Sequence, residues 1–537
     1  MGSGHKKFRS GGGINLINYI GADMASEFRG FLDRLEKQGE LLRIKEEVDL
    51  REVSARTAAS SKALWFERVK GYDMGVVSGI LGSRTRVAAS LDCDHREMGK
   101  EFHRRLYHHI APVMVKTGPV KDVIKVGDDI DLSAIPVPLV SMLDGGPYIT
   151  SAVGISRDPD YGRNVGCYRF MIRSEKETGV DLVGASDLKL FYERAFKQGK
   201  ALPLAIAIGV HPSILMAAAH MVASGQDEFE LAGALAGEPV KLVKCETIDL
   251  EVPADAEIVI EGELLPIGWT EDEGRFGDFT GFVGPIKFNP VFRVTAITHR
   301  KDAVFYALHM PDEVDYLIAP PLEGSGWLAL ATAGVKATAV YAPAAAGCNL
   351  HVYASIRKRP GEGKNALMAL MSLKRVKHVV VTDDDVDVFN PQELEKALAY
   401  RVRPTKDIVI IDGARGSHLD PSTQLLVTKG ALAPLTAKWG VDATIPEGSD
   451  ISEYDEIEYP FIDGVQGSPD YKSEVNAMDL VQSIEKLLIT PQHFYDVLAY
   501  FPDISQRQIV QAWGKLREAK KLDREISTGR YIIKKIS

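Results

Sequence analysis

Apolar positions recur every three or four residues from Phe28 through Phe31 and Leu32 to Leu35, which is the spacing of one helix face. Ser26 is placed to cap that helix and Gly39 to stop it, and residues 41–44 then read as a strand. Between about residues 151 and 308 the pattern changes to short apolar runs separated by turn residues, at 151–156, 165–172, 204–210, 241–245, 256–261 and 291–308. In the last run, His299-Arg300-Lys301-Asp302 predicts a hairpin turn between strands 291–298 and 303–308. Helical stretches at 213–223 and 228–235 interrupt these strands. After Pro320 the α/β alternation returns, with 376–381 and 407–411 as strands and 391–400 as the helix of a βαβ unit. The end of the chain predicts helices at 494–500 and 505–521 and then a short basic hairpin, a winged-helix-like order.

These changes of pattern divide the chain into five parts. Residues 1–23 are a polar, Gly-rich leader or tag-like segment; 24–135 form an N-terminal α/β domain, 136–320 a β-rich, barrel-like domain, 321–470 a second α/β domain, and 471–537 a helical extension. The class is therefore mixed α/β and α+β, multidomain.

With 537 residues the chain is too long for one core and long enough to bury a site deeply. Lys+Arg 64 against Asp+Glu 74 leaves a net charge of -10, so no global positive field draws in nucleic acid or an anionic membrane. No apolar run reaches the length of a bilayer span, and the leader lacks the apolar core of a secretion signal. Cys93, Cys167, Cys245 and Cys348 are scattered without CxxC spacing, which fits a reducing cytoplasm and argues against a zinc knuckle or a disulfide framework.

Three stretches carry candidate chemistry. Glu273-Gly274-Arg275-Phe276-Gly277-Asp278 joins two carboxylates to turn-forming glycines and aromatic rings, a setting in which one carboxyl can hold a proton while the other stays ionised. The same spacing also suits a solvated acidic turn. Asn164-Val165-Gly166-Cys167-Tyr168-Arg169 puts an arginine on an apolar strand, where it needs an anion; strand parity separates Asn164 from Arg169 unless Gly166 marks a bulge. Asp227-Glu228 opens a helix, where a carboxylate either favours the helix dipole or binds a hard divalent metal.

Several separated motifs resemble the UbiD-type reversible decarboxylases that use prenylated FMN. They are Phe31-Leu32-x-x-Leu35-Glu36-Lys37-Gln38-Gly39-Glu40-Leu41, Asp249-Leu250-Glu251-Val252-Pro253-Ala254-x-Ala256-Glu257-Ile258-Val259-x-Glu261-Gly262, Glu273-Gly274-x-Phe276-Gly277-Asp278-x-Thr280-Gly281, Asp384-Asp385-Val386-Asp387-Val388 and Gly440-Val441-Asp442-Ala443-Thr444, in the family's order. The resemblance implies that the central part is a split β-barrel holding the flavin. It further implies a catalytic trio of Arg169, Glu273 and Asp278, in the aspartate form common among aromatic-acid members. A divalent metal, usually Mn2+, with K+ nearby, is implied at the flavin phosphate, with Asn164, Glu228 and, by counting from Arg169, Asp187 as ligands and Lys364 approaching the phosphate. The implied reaction passes through a covalent substrate–cofactor adduct, loss of CO2 and protonation by Asp278. A flavin prenyltransferase would supply the cofactor, and the assembly would be a homodimer or homohexamer. The alternative class is a non-catalytic partner subunit of a carboxylase complex, which has no need of an intact trio. The extension is expected to serve as an oligomer contact or lid, without nucleic acid or membrane.

Overall fold

The computed structural model describes residues 27–534 apart from 183, 185, 223–224, 429–430, 456, 458–475 and 527. The leader and the Ser26 cap lie outside the described residues. Two compact units are present, Met1–Gly448 and Ser449–Ser537.

In the first unit, helix Phe28–Lys37 buries Phe28, Phe31, Leu32 and Leu35, the stripe its spacing predicts. It precedes a four-stranded sheet in the order Leu41–Val48, Ala63–Val69, Gly75–Ser78 and Val304–Ala307. The last of these strands corrects an expectation. Val291–His299 and Val304–Ala307 do not form a hairpin: the first pairs within the central sheet and the second runs parallel to Gly75–Ser78. The short turn at 300–303 carries the chain from one sheet to the next, and local turn chemistry cannot distinguish that from a reversal.

Nine strands make the curled, half-barrel central sheet. Its order is Tyr148–Ile149, Phe170–Ile172, Glu177–Val180, Val291–His299, Ile258–Leu264, Leu202–Ile208, Val153–Asp158 and Gly162–Cys167, with Val123–Val126 added beside Val291–His299. The added strand comes from before residue 135, and one apolar core extends from Phe28 to Cys348, so the N-terminal and central parts share their interior. Lys241–Lys244 lies in a separate three-stranded sheet.

Helix Asp312–Thr332 runs straight through the boundary expected at residue 320, with Pro320 and Pro321 inside it. A six-stranded sheet follows. Its parallel βαβ unit is His351–Ile356, helix Glu362–Met371 and His378–Asp383. The unit expected one step later is not formed, because Ala431–Asp442 inserts between His378–Asp383 and Ile408–Arg415 and pairs antiparallel with the latter. The second unit contains helices Ala477–Leu487, Phe494–Tyr500 and Gln506–Glu518, an antiparallel pair of strands, Leu522–Arg524 and Tyr531–Ile533, and its own core around Ile484, Val497, Ile509 and Leu516.

The start of helix Asp312–Thr332 is anchored by Glu313, which is fully buried. Its carboxylate accepts from the backbone N–H groups of Gly79 at 2.9 Å, Leu81 at 2.8 Å and His309 at 2.6 Å, and from the Tyr306 hydroxyl at 2.8 Å. Glu313→Leu leaves these donors buried without an acceptor and is expected to cost roughly 3 kcal/mol or more. A urea midpoint unchanged from the parent would contradict this anchoring role.

Candidate active site

Strand Gly162–Cys167 pairs with Val153–Asp158 in unbroken register, Val153 opposite Cys167 and Ser156 opposite Asn164. No bulge occurs at Gly166. The strand instead ends before Tyr168 and Arg169, and pairing resumes at Phe170–Ile172 on other neighbours, which resets the alternation of side chains. Gly154 and Gly166 face each other, and both lie under the Tyr168 ring: a Cβ on Gly154 would sit 2.9 Å from Tyr168 Cδ2, and one on Gly166 2.7 Å from Cε2 and from the hydroxyl oxygen. The folded-back ring brings that hydroxyl within 3.3 Å of Asn164 Nδ2, which donates to it. Asn164 and Arg169 are thus linked through Tyr168.

Arg169 is ringed by carboxylates. Its Nε donates to Glu273 Oε1 at 2.9 Å, Nη1 donates to Asp278 Oδ2 at 3.0 Å, and Nη2 lies 2.7 Å from Asp181 Oδ2. The Phe276 ring centre is 4.7 Å from the guanidinium carbon. Burial by itself works against the charge, but Asp181, Glu273 and Asp278 outweigh it and hold the Arg169 pKa above its ordinary value.

Each carboxylate is positioned by backbone. Glu273 ends strand Glu271–Glu273, opposite Lys287 on Lys287–Asn289, and its Oε2 accepts from the fully buried Asn289 amide. Lys287 Nζ reaches Asp181 Oδ2 at 2.9 Å, so Arg169 and Lys287 share that oxygen. Asp278 Oδ1 accepts from the Phe279 N–H at 2.8 Å, and Gly281, at a φ of 75°, closes a turn onto the Asp278 carbonyl at 3.0 Å. Segment 144–148 clamps the other side. Asp144 Oδ1 takes the Gly277 N–H at 2.7 Å, the Tyr148 hydroxyl donates to the Gly274 carbonyl at 2.8 Å, and a Cβ on Gly145 would strike the Gly274 oxygen at 2.3 Å.

The second group of residues lies beyond Tyr168. Glu228 opens helix Glu228–Ala236, is buried, and accepts the Val165 N–H at 3.0 Å; burial pushes its carboxyl up to about 7. Asp187 opens helix Asp187–Lys197, is exposed, and lies within electrostatic reach of Glu228. Burial pushes the Tyr168 hydroxyl up to about 12, and this hydroxyl contacts Ser186 and the Leu188 backbone as well as Asn164. Asn164, Asp187 and Glu228 therefore gather on one side, as an all-oxygen donor set. Among the described residues no group of three or more His, Cys, Asp and Glu is placed to hold a metal; this trio has two carboxylates and an amide.

Lys364 sits on helix Glu362–Met371, with Nζ 3.7 Å from Asp442 and 3.9 Å from Asp407, contacts that tie it to the C-terminal sheet. A different lysine, Lys374, feels the charge of Asp187 and stands beside Arg375 and Arg415. Arg375 is open to solvent although protein surrounds it, and burial lowers its pKa. Cys167 combines the same two properties, with its thiol pushed up to about 12.

Sequence reasoning missed Asp181, Lys287, Asn289 and Lys374, which reach the site only through strand pairing and the packing of sheets. His418, whose Cε1 lies 3.4 Å from where a Cβ on Gly184 would stand, is in electrostatic reach of Lys287, Asp181 and Asp278; burial lowers its pKa. A buried guanidinium of this kind can bind a carboxylate substrate, and the adjacent carboxyl can move a proton.

Comparison with known proteins bears on this arrangement. Residues 32–106, 112–312 and 315–443 match the N-terminal, Rift-related and C-terminal domains of 3-octaprenyl-4-hydroxybenzoate carboxy-lyase. Anhydromevalonate phosphate decarboxylase of Methanothermobacter thermautotrophicus is 33% identical over 430 residues, 78% of this chain and 97% of the relative. Phenolic acid decarboxylase of Bacillus subtilis is 34% identical over 452 residues, 78% of this chain and 92% of the relative. The UbiD-class enzyme HmfF from Pelotomaculum thermopropionicum, solved in complex with FMN, superposes with a TM-score of 0.75 at 36% identity, covering 82% of this chain and 99% of that one. Three domain matches in order, near-complete coverage of the relatives and a shared fold agree: the chain belongs to the UbiD family of carboxy-lyases.

Proposed function

We propose that this protein is a non-oxidative, reversible decarboxylase that uses prenylated FMN to release CO2 from an aromatic, heteroaromatic or α,β-unsaturated carboxylic acid. The observation that carries this reading is the Arg169 guanidinium held jointly by Glu273 and Asp278, in a chain whose neighbour HmfF was solved with prenylated FMN. An intact trio also speaks for a catalytic chain over a partner subunit.

The donor set supports a flavin phosphate bound through a metal. Glu228 is a buried carboxylate whose recorded hydrogen bonds all come from backbone N–H groups, a state that a bound cation would stabilise. With Asn164 and Asp187 it offers hard oxygen ligands suited to Mn2+, with K+ beside it. Lys374, Arg375 and Arg415 add positive charge on the same side for the phosphate.

Loss of CO2 from an sp2 carbon leaves a carbanion with no delocalisation of its own, and prenylated FMN, when bound, supplies the electron sink. Arg169 binds the substrate carboxylate through Nη1, which exchanges Asp278 Oδ2 for it, while Nε keeps Glu273, which fixes the plane of the guanidinium. Released from Arg169 but still held at Oδ1 by the Phe279 N–H, Asp278 takes a proton from water at Oδ2 and delivers it to the carbon that lost CO2. Phe276 and Tyr148 pack against each other beside the guanidinium and exclude water.

Co-expression with a flavin prenyltransferase should yield protein carrying the modified flavin, read by mass and absorbance, and able to release CO2 from some member of a panel of aryl and acrylic acids. Absence of both would sink the proposal. In that holoenzyme Asp278→Asn is expected to lower turnover by about 10²- to 10⁴-fold while flavin content stays at the parent level. Retained turnover would remove Asp278 from the mechanism. Glu228→Ala should lose Mn2+ by elemental analysis and most of the flavin; full metal occupancy would contradict its role as a ligand.

A further inference from the structure

On the far side of the Asp278 turn a cleft of about 310 Å³ lies between Phe279, Thr280, the start of helix Asp312–Thr332 and the segment around Ala344 and Gly347. None of the chemistry derived above uses it. Asp315 lines this cleft and is only 6% exposed, yet its Oδ1 is buried without any hydrogen-bond partner. Acidic residues in a first helical turn ordinarily meet the free N–H groups of that turn or water. Asp315 Oδ1 meets no donor of the protein. It faces Gly347, where a Cβ would stand 3.4 Å from Oδ1 and 3.7 Å from the edge of the Phe279 ring, so the missing side chain leaves the carboxylate and the ring open to one another. Asp312, exposed at the rim of the same cleft, adds a second carboxylate. Burial, and after it the Asp312 charge, pushes the Asp315 carboxyl up to about 8, so a cation held beside it would favour its ionised form.

We propose that this cleft binds an ammonium group, held between Asp315 and Asp312 beside the Phe279 ring. The remaining walls decide against a metal. A hard cation needs about six oxygen ligands, whereas the side chains here offer two carboxylates and the Thr280 hydroxyl among Phe279, Pro311, Ala344 and Ala345. An ammonium group offers three N–H donors to the carboxylates and gains from an aromatic wall. The volume admits an organic amine as well as the bare ion. Phe279 is also the residue whose N–H holds Asp278 Oδ1, so an occupant touches the turn that carries the proposed proton donor. Two sources share this chemistry: an amino group on the substrate itself, and a free small amine.

The test is calorimetric and needs no turnover, so it stands apart from the proposed decarboxylation. Ethylammonium chloride is titrated into the full-length protein at constant ionic strength, alongside Asp315→Asn and Asp312→Asn. Saturable binding is expected, weakened at least tenfold by Asp315→Asn and several-fold by Asp312→Asn, whose exposed side chain puts folding at little risk. Absence of saturable binding, or affinity unchanged in both variants, overturns the proposal, and so does potassium chloride displacing ethylammonium. With 4-(aminomethyl)benzoate and benzoate as further probes, an Asp315-dependent advantage of the amino acid assigns the site to the substrate. Binding of ethylammonium alone assigns it to a free amine.

Discussion

The site depends on one electrostatic constraint. A guanidinium cannot lose its proton, so Arg169 can be buried only where anions reach it. Three carboxylates do so, each from a different stretch of chain: Glu273 from a strand end, Asp278 from a turn and Asp181 from the segment after Glu177–Val180. Lys287 offsets part of the excess negative charge through Asp181. Removing Arg169 or Lys287 would leave carboxylates without a counter-charge in a poorly solvated setting. This makes the cluster rigid, yet leaves it able to trade one carboxylate for another.

That exchange gives the cluster a chemical use. Glu273 is held at both oxygens, by Arg169 and by Asn289, whereas Asp278 has one oxygen on backbone and one on Arg169. The Asp278 side chain is 10% exposed and that of Glu273 2%, so a substrate carboxylate arriving from solvent meets Asp278 first. On the proposed mechanism this difference suits Glu273 to orientation and Asp278 to proton transfer.

Tyr168 couples the two halves of the region. Its ring needs the bare backbones of Gly154 and Gly166, and its hydroxyl meets Asn164 beside Glu228. The next residue, Arg169, starts the carboxylate cluster. A strand that simply continued would have placed Asn164 and Arg169 on opposite faces. Interrupting the ladder at Tyr168 and Arg169 removes that constraint, and the Tyr168 hydroxyl meets Asn164.

Much of this was legible in the chain. Helix Phe28–Lys37, most strands of the central sheet and the two carboxylates of 273–278 follow from periodicity, glycine placement and motif order, because those features act over a few residues. Glu228 was likewise found from local position, at the start of a helix, whereas Asp187 came only from counting on from Arg169 within the family resemblance. What the sequence could not contain was pairing across distance. The 300–303 turn looks like a hairpin but joins two sheets, the βαβ unit lies one step earlier than its spacing implies, and proline does not end helix Asp312–Thr332. Asp181, Lys287, Asn289 and Lys374 carry no motif, and only strand register and the packing of separate sheets bring them to the site. Residue type and short-range spacing thus determined which groups could do chemistry. Tertiary structure decided which of them meet, since burial, the strength of a charge pair and the choice of a partner are properties of neighbours distant in sequence.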